Sequence, residues 1–271
     1  MQTLIVVPAR YASTRFPGKP LAKISGISML RRTARTAELA SQKIPNSEYV
    51  VATDDIRIEV HCREYNIPVV MTPSNVKTGS DRALAAASAI EADTKRSYER
   101  IINLQGDAPF TPVEHIVALA SAMKAGAQVA TPYVQLSWDE LSRLRQHKTD
   151  TPFSGTCVVV APDDTAIWFS KNIIPAIRKE EALKSGSMLS PVRRHIGLYA
   201  YTLTALKTFT EIPESHYETL EGLEQLRLLE NGVPITCVQV EPPLISTSGI
   251  DTQEDLELAE ALIAKHGESF Q

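Results

Sequence analysis

The stretch TLIVV at residues 3–7 runs directly into PARYASTRFPGKP at 8–20. A threonine and four apolar residues with no polar alternation suit a strand buried on both faces, as in the middle of a parallel sheet. The polar segment from Pro8 to Pro20 is then a long loop leaving that strand. Residues 29–40 follow with Leu30, Ala34, Ala37 and Leu39 on or near one helical face. Strand, loop and amphipathic helix in that order are the first unit of a wound α/β sheet.

The unit repeats outward from there. A second strand is expected over Tyr49–Ala52, and Asp54–Asp55 caps a helix running through Val60 to about Tyr65. A short strand over Pro68–Met71, a helix over Ser80–Ala92 and a strand over Arg100–Leu104 follow. A helix over Val113–Lys124 and a strand over Gln128–Tyr133 complete the first half. This alternation implies a doubly wound parallel sheet. Beyond Ser137 the pattern loosens. Phe153–Ala161 reads as an antiparallel strand, Arg178–Ser187 as a mobile charged loop, and His195–Tyr201 as a strand. Leu220, Leu223, Leu226 and Leu229 give one helix over Tyr217–Glu230. A strand over Ile235–Val240 and a helix over Thr252–Lys265 close the chain. With no repeat or linker, residues 1–271 read as a single domain with an embedded lobe at about 137–215.

The 271 residues suffice for one large core, and their net charge of −4 offers no whole-chain basic character for nucleic acid. Three separated cysteines without a CxxC pair argue against a disulfide framework, and Cys157 and Cys237, in apolar β-like runs, read as reduced, buried thiols. No apolar run approaches a membrane span and no secretory leader is recognisable, so a soluble cytoplasmic enzyme is expected.

The first loop carries Arg10, Arg15 and Lys19, with Ser13 and Thr14 between them. Ligands of open α/β sheets bind at the carboxyl ends of the strands, where this loop lies. Arginine grips phosphate oxygens in pairs and lysine adds a compact charge. The cluster therefore suits a triphosphate, against the plainer reading of a solvated basic loop. It is not a Walker A sequence. Gln105-Gly106-Asp107 ends a buried strand, and its carboxylate suits Mg²⁺, though an Asp there also caps turns. Asp251 and Thr252 precede the last helix and read first as N-cap residues, with Glu254 and Asp255 in its first turn. Two loop carboxylates and a tricationic loop together favour phosphoryl chemistry, which needs metal and positive clamps.

These segments resemble the 3-deoxy-manno-octulosonate cytidylyltransferases, the CMP-Kdo synthetases. The resemblance lies in PARYASTRFPGKPL, VATDD at 51–55, TGSDR at 78–82, LQGDAP at 104–109, RHIGLYAY at 194–201, LEGLEQLRLL at 220–229 and GIDTQEDLE at 249–257. It implies a nucleotidyltransferase-type, mixed and mostly parallel sheet, with the lobe serving dimerisation and sugar binding. It also implies a homodimer that joins CMP from CTP to an acidic eight-carbon sugar, with Mg²⁺, for lipopolysaccharide synthesis. By resemblance, Arg10, Ser13, Arg15 and Lys19 hold the nucleotide phosphates, while Arg82 and Gln105 line the nucleotide and sugar side. Asp107 and Asp251 hold the metal. His195, Tyr199, Glu224 and Gln225, with Gln105, contact the sugar acid. The catalytic set is Lys19, Asp107 and Asp251.

The chain departs from the family at Ser80-Asp81-Arg82, where Thr-Glu-Arg is usual, and at Ala108, where Glu is usual. Thr151-Pro152-Phe153-Ser154-Gly155 replaces an Asn-Pro-Asn segment. All lie toward the acceptor, so Kdo and an 8-amino Kdo are both admitted, with Glu224 or Asp81 to face the amine. A sialic-type acid and a non-catalytic nucleotide-sugar sensor are the rival readings.

Overall fold

The computed structural model describes residues 2–12, 16–244, 250, 252–268 and 270. Its strands are β1 (Thr3–Ala9), β2 (Lys23–Ile24), β3 (Ile27–Ser28), β4 (Ser47–Thr53), β5 (Val69–Met71), β6 (Arg100–Leu104), β7 (Val129–Ser137), β8 (Cys157–Val160), β9 (Ala166–Ser170), β10 (Leu189–His195), β11 (Leu198–Thr202) and β12 (Thr236–Gln239). Its helices are α1 (Met29–Lys43), α2 (Ile56–Glu64), α3 (Gly79–Thr94), α4 (Val113–Lys124), α5 (Trp138–Asp150), α6 (Glu180–Lys184), α7 (Leu203–Glu211), α8 (His216–Glu221), α9 (Leu226–Glu230) and α10 (Gln253–His266).

The main sheet runs β5-β4-β1-β6-β11-β7-β10-β8-β9, with β12 joined to β7. The β5-β4-β1-β6 part is parallel, and β11 enters antiparallel between β6 and β7. The apolar run of β1 is explained by its two covered faces. Leu4 and Val6 pack with Ala83 and Ala86 of α3, while Ile5 and Val7 pack with Leu30, Ala34 and Ala37 of α1. Each fully buried branched side chain of this kind contributes about 1.5–3 kcal/mol.

Three segments differ from the sequence reading. The Leu-spaced helix breaks at Gly222, whose φ of 61° ends α8 in the left-handed region. Leu220 is consequently 68% exposed while Leu226 is buried, so the leucines do not share one face. Arg178–Ser187 is not a bare loop. It contains α6, and Glu180 pairs with Arg145 at 2.7 Å and Lys184 at 3.1 Å, which draws its carboxyl down to about 2. The strand expected from Phe153 begins only at Cys157, and Phe153 is 74% exposed. Thr252, by contrast, caps α10 as one of the alternatives had it, in a capping box with Asp255.

β10 and β11 are almost one strand, interrupted at Ile196–Gly197. On one side both pair with β7. On the other, β10 pairs with β8 (Arg194 opposite Cys157) and β11 with β6 (Leu198 opposite Leu104). Between the end of β6 and the start of β8 the strand has no strand neighbour on that side, and a cleft opens there.

Candidate functional site

The cleft has a volume of about 470 Å³. Its floor is His195–Tyr199, one wall is the turn after β6 with Gln105 and Asp107, and the facing wall is Gly155–Thr156 before β8. Glu224 and Gln225, from the turn between α8 and α9, close a third side. Two adjacent strand ends and one kinked strand thus gather residues more than a hundred positions apart.

Gly106 makes the first wall possible. A Cβ there would lie 2.5 Å from the Pro8 carbonyl oxygen, so only glycine lets this turn press against the end of β1. The approach brings Asp107 to Lys19 of the first loop, with Nζ donating to Oδ2 at 2.8 Å. The loop is closed at its root by Gly18 N donating to Tyr11 O at 3.0 Å. Its other described cation, Arg10, is exposed and donates to Val76 O at 2.7 Å on the opposite side of β1. Ser13, Arg15 and Asp251 lie outside the described residues. Ile250, the neighbour of Asp251, donates its amide to the Asp107 carbonyl at 3.3 Å. The two carboxylate segments singled out in the sequence therefore meet.

Arg82 does not line this cleft. It is fully buried and donates to Thr72 Oγ1 at 2.6 Å and Asp54 Oδ2 at 3.1 Å. Its guanidinium ties α3 to the end of β4, and burial lowers its pKa. Asp81 is also committed elsewhere. Its carboxylate accepts from Thr78 N at 2.9 Å as the capping box of α3. Glu224 is then the carboxylate of the two that faces the cleft.

The far end of the cleft is set by buried polar groups. His195 is 9% exposed, and burial pushes its pKa down to about 3, so the ring is neutral. Its Nε2 lies 2.8 Å from Thr131 Oγ1, whose single proton goes to Leu198 O at 2.8 Å. Thr131 must therefore accept from Nε2–H, which fixes the tautomer and leaves Nδ1 as an acceptor. Glu224 opens into the cleft, and the protein packed around its carboxyl raises its pKa. Ser80 Oγ donates to it at 3.4 Å. Gln225 is 5% exposed, and its Nε2 is buried with no hydrogen-bond acceptor among the described residues. Tyr199 packs beside His195, with ring centroids 5.5 Å apart and the rings tilted by 49°.

Gln105, Asp107, His195, Tyr199, Glu224 and Gln225 are thus brought together in one cleft, with Lys19 at their edge. Sequence reasoning missed Thr131, Ser80, Thr156 and Arg194 as participants. Arg194 precedes His195 in a segment already singled out, but Thr131 enters only through the strand register.

Asp107 can serve a divalent metal. Its carboxylate is a hard oxygen donor, 41% exposed, and the segment of the second carboxylate is hydrogen-bonded to its backbone.

Residues 4–239 match the cytidylyltransferase family. The 3-deoxy-manno-octulosonate cytidylyltransferase of Maricaulis maris is 39% identical, covering 99% of each chain. That of Parabacteroides distasonis is 38% identical, covering 97% of this chain and 99% of that protein. Among solved structures, a CMP:2-keto-3-deoxy-manno-octonic acid synthetase complexed with CTP matches with a TM-score of 0.80 and 31% identity, over 98% of this chain and 99% of that one. A cytidylyltransferase from Leptospira borgpetersenii, 16% identical with a TM-score of 0.59 over 99% of this chain and 89% of that one, shares the fold.

Proposed function

The chain belongs to the cytidylyltransferase family, and on that premise we propose that it transfers CMP from CTP to a 3-deoxy-octulosonate sugar acid and releases pyrophosphate. One observation carries the reading. A single cleft holds Asp107, paired with Lys19 at its edge, at one end and His195, Tyr199, Glu224 and Gln225 at the other. The first end suits a phosphate with its counter-charges, and the second suits a polyhydroxylated acid.

The sugar's anomeric oxygen attacks the α-phosphorus of CTP. The bond from that phosphorus to the β-phosphate bridging oxygen breaks, pyrophosphate departs with the electron pair, and the hydroxyl proton leaves to solvent. Lys19 stabilises charge growing on the departing phosphates, with Arg10 and Arg15 assigned to the same task. His195 accepts from a sugar hydroxyl through Nδ1, and Gln225, which lines the same end, is assigned to the sugar with it. Asp107 and Asp251 would hold Mg²⁺, which would supply charge neutralisation on the phosphates when bound.

The relatives' names favour Kdo as acceptor. An 8-amino Kdo is the second reading, supported by Glu224, an acceptor-only carboxylate that binds an ammonium more strongly than a hydroxyl. Pyrophosphate release with CTP and Mg²⁺, comparing Kdo, 8-amino Kdo and a nine-carbon sialic-type acid, tests the reaction and the acceptor together. No release with any of the acids would overturn the reading. We also infer a homodimer through the lobe, supported by exposed Phe153, Met188 and Leu189. Light scattering at micromolar concentration tests it, and a monomer mass would reject it. Among the described residues no helix is long and apolar enough to cross a membrane.

A further inference from the structure

The wall formed by Gly155 and Thr156 has no regular structure of its own before β8, yet it must hold one shape to define the cleft. Its support is Lys148, in the last turn of α5. The Lys148 ammonium donates to the carbonyls of Lys171 at 2.6 Å, Gly155 at 3.1 Å and Pro152 at 3.3 Å, and also to that of Ser154. Four carbonyl oxygens from two segments thus converge on one cation. Converging carbonyl dipoles repel one another unless a positive charge sits between them, so this arrangement depends on the charge and not only on the volume of the side chain.

The clamp extends further. Lys171 follows β9, and its amide donates to Glu221 Oε2 at 2.9 Å, while Ser170 Oγ donates to Glu221 Oε1 at 2.8 Å. Glu221 is the last residue of α8, immediately before the turn that carries Glu224 and Gln225. One ammonium therefore links the Gly155–Thr156 wall, the end of β9 and, through Glu221, the turn on the third side. None of these contacts reaches Lys19 or Asp107. The segment held this way is Thr151–Gly155, where the chain departs from the pattern it otherwise resembles.

We propose that Lys148 is a positioning residue for the acceptor half of the cleft, an internal cation that holds the Gly155–Thr156 wall against Lys171 and so sets affinity for the sugar acid without acting on CTP. The proposal rests on the cytidylyltransferase reading given above. Lys148→Met keeps the bulk and removes the charge. Its KM for the sugar acid should rise about tenfold or more, as expected when charged hydrogen bonds are removed and their acceptors left buried, while the KM for CTP stays unchanged. In Lys148→Ala, added n-propylammonium should restore sugar affinity, and sodium chloride at equal ionic strength should not. An unchanged sugar KM in Lys148→Met, or equal losses for sugar and CTP, would overturn the proposal. If Lys148→Met does not fold, Lys148→Gln replaces it, and an unchanged sugar KM there overturns the requirement for a cation. Amide exchange of residues 151–156 gives a readout independent of turnover. Faster exchange in the charge-free variant supports the clamp and unchanged exchange rejects it, even if wild-type protein turns over no sugar acid and the functional reading itself fails.

Discussion

A neutral, buried His195 should make the protein measurably less stable in mild acid. Its native pKa is about 3, because burial penalises the charged ring, against 6.5 in the unfolded chain. The unfolded state therefore binds the proton first as pH falls. The stability held by neutral His195 is complete above about pH 6.5 and is lost progressively from there toward the native value. Between pH 7.5 and pH 5.0 this one group costs about 2 kcal/mol, a figure that changes little wherever below about 4 the native pKa lies. His61 and His115 also have pKa values lowered by burial and add to the total, so a difference measurement is needed. Urea unfolding of wild type and His195→Asn at the two pH values isolates the term. Wild type should lose about 2 kcal/mol more than the variant on acidification, of which the variant's own lower baseline stability is no part. Equal losses would refute the neutral, buried assignment and, with it, the role of Nδ1 as the acceptor for a sugar hydroxyl.

The remaining expectations concern the two ends of the cleft and its scaffold. Asp107→Asn should keep its circular dichroism and lose turnover by about 10²-fold or more, since a half-exposed ion pair carries little stability; near-native kcat would remove Asp107 from the metal site. Lys19→Ala should lower kcat and kcat/KM together by about 10²–10³-fold, and a raised KM for CTP at unchanged kcat would make it a uniform binding contact. Glu224→Gln should raise the sugar KM with CTP binding intact, and should penalise 8-amino Kdo more than Kdo if the carboxylate reads an amine; equal losses for both sugars would reject that role. Arg227→Met should destabilise the fold by about 3–5 kcal/mol by leaving Glu218, its bidentate partner at 2.5 and 2.7 Å, buried and unpaired, and a smaller loss by urea unfolding would mean that Glu218 reaches water.

What the sequence made legible follows its physical periodicities. β1, β4, β6 and the helices between them have apolar patterns that local geometry dictates, and these elements appear close to where they were expected. Asp55 and Thr252 cap helices because a short oxygen-bearing side chain before an apolar face has few other uses. The failures have equally local causes. Leucines at 220, 223, 226 and 229 keep helical spacing across Gly222, and spacing alone does not register that a glycine there turns left-handed. Arg178–Ser187 is rich in charge, which resembles a solvated loop until Arg145 of α5 is found opposite Glu180.

The site divides along the same line. The end proposed for the phosphates is built from a contiguous loop and a strand-end turn, so Lys19, Gly106 and Asp107 carry their signal in short motifs. The end proposed for the acceptor is built by register. His195 acquires a fixed tautomer only because Thr131 lies within reach on β7, and Thr131 can accept only because its proton is spent on Leu198 O. Asp81 and Glu224 look alike as carboxylates in a chain of letters, yet one is consumed by a helix cap and the other is left facing the cleft. Under the proposed function, acceptor choice follows from which polar groups the fold leaves unspent. On the proposed reading those are the Nδ1 of His195 and the carboxylate of Glu224, lightly held by Ser80. The proposed acceptor, an acidic, hydroxyl-rich sugar, answers both: its hydroxyls donate to the imidazole and to the carboxylate.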